Sequence, residues 1–132
     1  MIYKSEKSTS FVVRELMLKN DNNKVSAVIG VPKENKDIDK RVPLTPESVA
    51  LLVSLGYRVL VESGAGLPIN YSDTYYAESG AEIVDTAKEA FQADIVLKIL
   101  PPTIVEVEMM KKGSVVFSFL YLHSLTKPLL DL

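Results

Sequence analysis

The chain alternates short, unbroken apolar runs with stretches whose apolar positions recur every three or four residues. Val25-Ser26-Ala27-Val28-Ile29-Gly30-Val31 is apolar and β-branched nearly throughout. Such a run suits a central parallel strand covered on both faces. A polar loop continues to Thr45, and residues 45–56 then predict a helix. Thr45 can cap it, Pro46 fits the first helical position and Gly56 fits just past the end. Residues 57–62 predict a second strand. A glycine-bearing loop follows, and Ser72 can cap a short helix ending before Gly80. Residues 81–84 form a third short strand, and Asp85 can cap a helix over 86–93. Residues 94–99 predict a fourth strand, stopped by Pro101 and Pro102. Thr103 can cap a segment running to Met110, where Ile104, Val105 and Val107 weaken the helical reading. Residues 114–122 predict a fifth strand, and residues 126–132 begin another helix.

Ahead of this alternation, residues 1–24 read as a leader. Ser10 can cap a short helix over residues 11–19, which Asn20-Asp21-Asn22-Asn23 then breaks. The folded domain is expected over 25–132. Strands separated by helices imply an α/β fold: a Rossmann-like (flavodoxin-like) parallel sheet of about five strands with helices on both faces. In such sheets ligands bind beyond the C-terminal strand ends. The connections at 32–45, 63–71, 100–103 and 121–127 are therefore the ones to search.

Composition narrows the function classes. The 132 residues suffice for one domain, and 47% apolar with 24% charged residues fits a globular chain. Fifteen basic residues face seventeen acidic ones, and between Lys33 and Arg41 the two signs alternate. That argues against nucleic-acid binding, which needs a one-signed basic face. With no cysteine, disulfides and thiolate chemistry are excluded. With His123 as the sole histidine, no zinc site is expected. No apolar run approaches the roughly 20 residues that span a bilayer, so no membrane insertion is expected. The N-terminus lacks an apolar signal segment, and a cytoplasmic protein is expected.

The loop Val61-Glu62-Ser63-Gly64-Ala65-Gly66-Leu67-Pro68-Ile69-Asn70-Tyr71-Ser72-Asp73 begins like a dinucleotide fingerprint. Its third glycine position is Ile69, Pro68 intervenes, and no helix is expected to begin before Ser72. A helix N-terminus able to hold a pyrophosphate is thus misplaced. Gly64 and Gly66 are read as positive-φ turn or close-packing positions.

Gly30-Val31-Pro32-x-Glu34, then Arg41-Val42-x-x-Thr45-Pro46, then a helix closing at Gly56 form an ordered set. "SGAG", "SGAEIVDTA", "ADIVLKI" and "FSFLYL" continue it. This set resembles the N-terminal domain of the alanine dehydrogenase/pyridine nucleotide transhydrogenase family, from about Val25 onward. The resemblance implies a substrate-side domain whose NAD or NADP is bound mainly by a separate Rossmann domain, not in this chain. It also implies a chain truncated at its C-terminal helix, and a homo-oligomeric parent.

In alanine dehydrogenases the arginine of this motif holds the substrate carboxylate, which points to Arg41 as substrate-binding. A guanidinium suits that role, binding carboxylates bidentately at any working pH. The competing reading is a surface arginine paired with Asp37, Asp39 or Glu34. Alanine dehydrogenases also carry a Lys-x-Lys-x-Pro pattern, whose second lysine contacts the keto acid. Here Lys98 keeps the first position and Leu100 occupies the second. Lys98 has two readings, a structural charge at a strand end and a substrate contact. The family's catalytic histidine aligns with Tyr121, and His123 lies two residues on, about 6.6 Å along an extended strand. A tyrosine with its ordinary pKa near 10 is the poorer neutral-pH base, so Tyr121 and His123 both stand as proton-transfer candidates.

These departures fit a transhydrogenase α-type chain better than an alanine dehydrogenase. The expected function is the substrate-side domain of an NAD(P)-dependent oxidoreductase, inactive alone, whose parent transfers hydride. Its partners would be an amino or keto acid, or a second nicotinamide nucleotide, and the missing Rossmann domain. Alternatives are a non-catalytic binding or regulatory module, or a saccharopine dehydrogenase-like substrate domain.

Overall fold

The computed structural model describes residues 27–118. The leader and its helix, the far end of the fifth strand, Tyr121, His123 and the terminal helix lie outside the described residues.

Within them, strands and helices alternate without exception. The order is β1 (Val28–Val31), α1 (Pro46–Ser54), β2 (Arg58–Glu62), α2 (Asp73–Glu78), β3 (Glu82–Val84), α3 (Ala87–Phe91), β4 (Ile95–Leu97), α4 (Ile104–Glu108) and β5 (Val115–Phe117). A 3₁₀ turn, Leu67–Ile69, precedes α2. The five strands form one parallel sheet in the order β3-β2-β1-β4-β5. Of the two common doubly wound orders this is the Rossmann one; a flavodoxin order would place β3 on the far side of β1 from β2. The chain winds outward from β1 to β3, then crosses back to lay β4 against the other side of β1. The winding direction reverses between β1 and β4.

Side-chain alternation divides β1 between two cores. Ile29 and Val31 join Val59, Val61 and Leu97 under Val49, Leu52 and Tyr76, which α1 and α2 supply. Val28 faces the other way, toward Val96, Phe91, Ala93, Met109 and Met110. The expected helices on both faces are therefore present. Gly30 sits where α3 comes closest to the sheet. A Cβ there would lie 2.0 Å from the Ala90 carbonyl oxygen and 2.9 Å from the Ala93 Cβ.

Caps set the helix starts. Thr45 Oγ1 accepts from the Ser48 N–H at 3.1 Å, and Ser72 Oγ from the Tyr75 N–H at 3.1 Å. The third helix corrects the sequence reading: its cap is Thr86, not Asp85. Thr86 and Glu89 form a reciprocal capping box, which satisfies two N–H groups where Asp85 could satisfy one. Thr103 and Glu106 form a second box. It secures α4 despite Ile104, Val105 and Val107.

The strands are shorter than the apolar runs that predict them. β4 stops at Leu97 because the Ile99 and Leu100 N–H groups turn away from the ladder to a carboxylate, Glu34.

Candidate functional site

Because every strand pairing is parallel, the loops after β1, β2 and β4 emerge at one end of the sheet. The loop at residues 32–45 is central, and a buried carboxylate bolts it to each neighbouring strand. On one side, Glu62 of β2 accepts from the Lys33 N–H at 2.7 Å. On the other, Glu34 of the loop itself reaches the end of β4. It accepts from the Ile99 N–H at 3.2 Å, the Leu100 N–H at 3.1 Å and Lys98 Nζ at 3.1 Å.

Lys98 is buried with Glu34: their side chains are 3% and 5% exposed. A lone buried ammonium would be costly, and this one is not alone. Its second partner is Glu106, 3.3 Å away. Glu106 has two tasks, since its other oxygen accepts from the Thr103 N–H at 2.8 Å and so caps α4. Lys98 also lies 6.0 Å from the Phe91 ring centroid.

Among the described residues, two clefts flank the loop. The first, of about 570 Å³, opens between the ends of β1 and β4 and includes Asn35, Ile38, Lys98, Leu100 and the Pro101–Glu106 stretch in its walls. This is the switch point, where doubly wound sheets hold their ligands. The second, of about 740 Å³, lies toward β2. Lys33, Lys36 and Lys40 line it together with Gly64, Leu67 and Pro68.

The sequence-derived candidates separate in space. Arg41 lies on the loop between the strands and lines neither cleft. Its half-exposed guanidinium grips Asp39 bidentately, Nε to Oδ1 at 3.0 Å and Nη2 to Oδ2 at 2.7 Å. The Arg41 N–H adds a bond to Asp39 Oδ1 at 2.9 Å. Of the acidic partners considered for Arg41, the described geometry shows Asp39. The hydrogen-bonded guanidinium holds the Asp39 carboxyl below its ordinary range, so the grip is present at neutral pH. Lys98 reaches the wall of the switch-point cleft with its charge shared between two carboxylates. Tyr121 and His123 lie outside the described residues.

Sequence reasoning missed the partnership of Glu34, Lys98 and Glu106. A signal existed for Glu106, which stands three residues after Thr103 as a capping box requires. No local signal joins Glu34 to Lys98, which lie 64 residues apart.

The glycine loop is a packed turn. Gly64 has φ of +85°, and its N–H donates to Asp73 Oδ1 at 2.8 Å. Ser63 Oγ donates to the other oxygen of Asp73 at 2.6 Å. A Cβ on Gly66 would lie 2.6 Å from the Tyr76 ring and 2.7 Å from the Tyr71 carbonyl oxygen. A pyrophosphate cradle needs free N–H groups at a helix N-terminus. Here Asp73, at the start of α2, holds the Gly64 N–H and would oppose an anion. The residues at this loop do not fit the phosphates of a dinucleotide.

Fold and clefts together define a doubly wound α/β domain with an open cleft at its topological switch point. Comparison with known proteins makes this specific. The family model described as "Alanine dehydrogenase/PNT, N-terminal domain" matches residues 30–132, and the chain belongs to that family. It is 44% identical over 108 residues to an alanine dehydrogenase of Methanococcus maripaludis, covering 79% of this chain and 29% of that protein. It is 44% identical over 95 residues to an alanine dehydrogenase of Bacillus subtilis, covering 72% and 25%. Among solved structures, an L-alanine dehydrogenase superposes with a TM-score of 0.71 at 36% identity, over 79% of this chain and 28% of that one. A transhydrogenase from Sinorhizobium meliloti superposes at 0.66 and 36% identity, over 70% and 28%. The chain spans less than a third of the length of these relatives.

Proposed function

We propose that this chain is the substrate-side domain of an NAD(P)-dependent oxidoreductase whose complete form transfers hydride. One observation carries the reading: the family match from residue 30 onward overlies a domain whose open cleft lies at the switch point of the sheet. In this reading the cleft positions an amino or keto acid, Arg41 turns from Asp39 to take the carboxylate, and Tyr121 or His123 moves the proton. NAD or NADP would supply the hydride acceptor, held mainly by a second domain, because the glycine loop here does not fit its phosphates. This chain contributes binding and orientation, and by itself turns nothing over. The complete enzyme is cytoplasmic and homo-oligomeric in this proposal. Among the described residues no helix is long and apolar enough to cross a membrane.

A second reading, a non-catalytic binding module, draws on Leu100. It stands in the cleft wall where alanine dehydrogenases place a lysine, and Lys98 is committed to Glu34 and Glu106. A chimera separates the two. This chain would replace the matching first domain of the Bacillus subtilis relative, and the chimera would be assayed with NAD and NADP against a panel of L-amino acids and against a second nicotinamide nucleotide. Turnover by the chimera with any of these, and none by the 132-residue chain alone, is the expected result. A folded chimera inactive throughout would leave the binding module standing. Turnover by the chain alone would overturn the division of labour.

A further inference from the structure

We propose that the switch-point cleft is a side-chain pocket for a 2-oxo or 2-amino acid with a branched or otherwise bulky apolar side chain, and that it discriminates against a second carboxylate. The proposal rests on the substrate-side reading above and names the substrate class for that site.

Three observations carry it. The first is the lining: Ile38, Leu100, Pro101, Pro102, Ile104 and Val105 make the walls predominantly apolar. The second is where solvent-exposed apolar surface gathers. Ile38 is 69% exposed, Val105 67% and Ile104 46%, and all three stand around this one opening. Exposed apolar residues so concentrated, around a cavity of about 570 Å³, are the pattern of a small-molecule site. The third is charge. Lys98 is the cleft's lining cation, and two carboxylates hold its ammonium at 3.1 and 3.3 Å. Among the described residues, two negative charges against one positive leave no unpaired cation in the lining to attract an anion. A carboxylate entering here would lose its water and meet a surplus of negative charge.

The ligand's orientation follows. Its α-carboxylate lies away from Leu100 and from the Glu34–Lys98–Glu106 cluster, and the apolar side chain fills the space against Leu100, Ile104 and Val105. Leu100 is then a specificity-determining residue. The ion-paired cluster of Glu34, Lys98 and Glu106 is a positioning group, which engages the lining cation found among the described residues and fixes the Leu100 backbone.

The test is methyl-resolved NMR on the full 132-residue chain, titrated separately with 4-methyl-2-oxopentanoate and with 2-oxopentanedioate, up to about 20 mM to detect millimolar binding. Methyl resonances of Ile38, Leu100, Ile104 and Val105 are expected to shift with the branched oxo acid. Its affinity should exceed that of the dicarboxylate by roughly tenfold or more. Leu100→Lys should reverse the preference while leaving the methyl resonances of the distant core, Val49 and Leu52, unmoved. Equal or stronger binding of the dicarboxylate by the unmodified chain would overturn the proposal, as would the absence of shifts with the branched acid. These readouts need no hydride transfer. An inactive chimera with an intact preference would refute the oxidoreductase reading alone, and an active chimera with no preference would refute the pocket alone.

Discussion

At the scale of single residues, Glu34 and Lys98 matter through each other. Their side chains are almost fully buried and linked at 3.1 Å, so removing one strands the other. Lys98→Met should destabilise the chain by about 3 kcal/mol, at the low end for breaking a buried pair. The low end is expected because Glu34 keeps two backbone N–H donors. Adding Glu34→Gln to Lys98→Met should recover part of that loss by removing the stranded charge, while the amide oxygen keeps only one of the two N–H bonds because the amide nitrogen cannot accept the other. Urea unfolding of the two single variants and the double variant measures the coupling; purely additive losses would show that the pair is not a unit. This partnership was illegible in the sequence. Glu34 and Lys98 stood out only as members of family-like motifs, and contact between them requires the sheet to place β4 beside β1. Arg41 was the reverse case. Its pairing with an acidic neighbour could be anticipated, because Asp39 is two residues away and a short loop brings the two together whatever the fold does.

Elements were far more legible, because their signals are local. Thr45, Pro46 and Gly56 marked α1, and the β-branched run at residues 25–31 marked β1. Element ends are less legible. The apolar runs overstate the strands, because Glu34 draws the Ile99 and Leu100 N–H groups off the ladder. Residue type alone points to Asp85 as the cap of α3, although Thr86 and Glu89 have the reciprocal spacing that wins. Glycines at element junctions make a sharp comparison. Gly30→Ala would put a methyl 2.0 Å from the Ala90 carbonyl oxygen, so α3 must lift from the sheet. A loss of at least about 3 kcal/mol is expected, at or beyond the top of the overpacking range. Gly113 has nothing within 4 Å of a built Cβ, but its φ is +86°. Gly113→Ala should cost only about 1 kcal/mol, the penalty of a left-handed alanine, and Gly113→Asn less. If thermal unfolding ranked Gly113→Ala as the worse of the two alanine variants, close approach of α3 would not be what Gly30 is for.

For the whole molecule, the alternation of strands and helices was enough to fix a parallel α/β sheet, but strand order was beyond it. Whether the fourth strand joins β1 or extends from β3 depends on which edge its apolar residues can reach, and no local pattern encodes that. The order matters, since it puts the switch point and the cleft between β1 and β4. It also distributes the charges that set the chain's response to pH. Asp39 is held down by Arg41, Glu82 by Arg58, Glu89 by the Thr86 N–H and hydroxyl groups, and Asp94 by Lys111 and the Val28 N–H. Each of these carboxyls has a folded-state pKa below its ordinary value. Each therefore adds stability above its ordinary range and loses it as pH falls through the folded value. No compensating group among them is raised in that window. Burial pushes the Tyr76 hydroxyl upward, so its donated hydrogen bond to the Leu44 carbonyl, 2.7 Å long, should persist into alkaline pH beyond the ordinary tyrosine range. The urea midpoint should accordingly stay nearly flat from about pH 8 to about pH 5 and then fall steadily toward pH 3. Arg58→Ala should flatten the acid limb slightly, because Glu82 would titrate near its ordinary value in both states. The effect should be small, since both partners are at least half exposed to screening water. A midpoint already falling between pH 8 and pH 6 would mean that some other group controls the stability of the fold near neutrality.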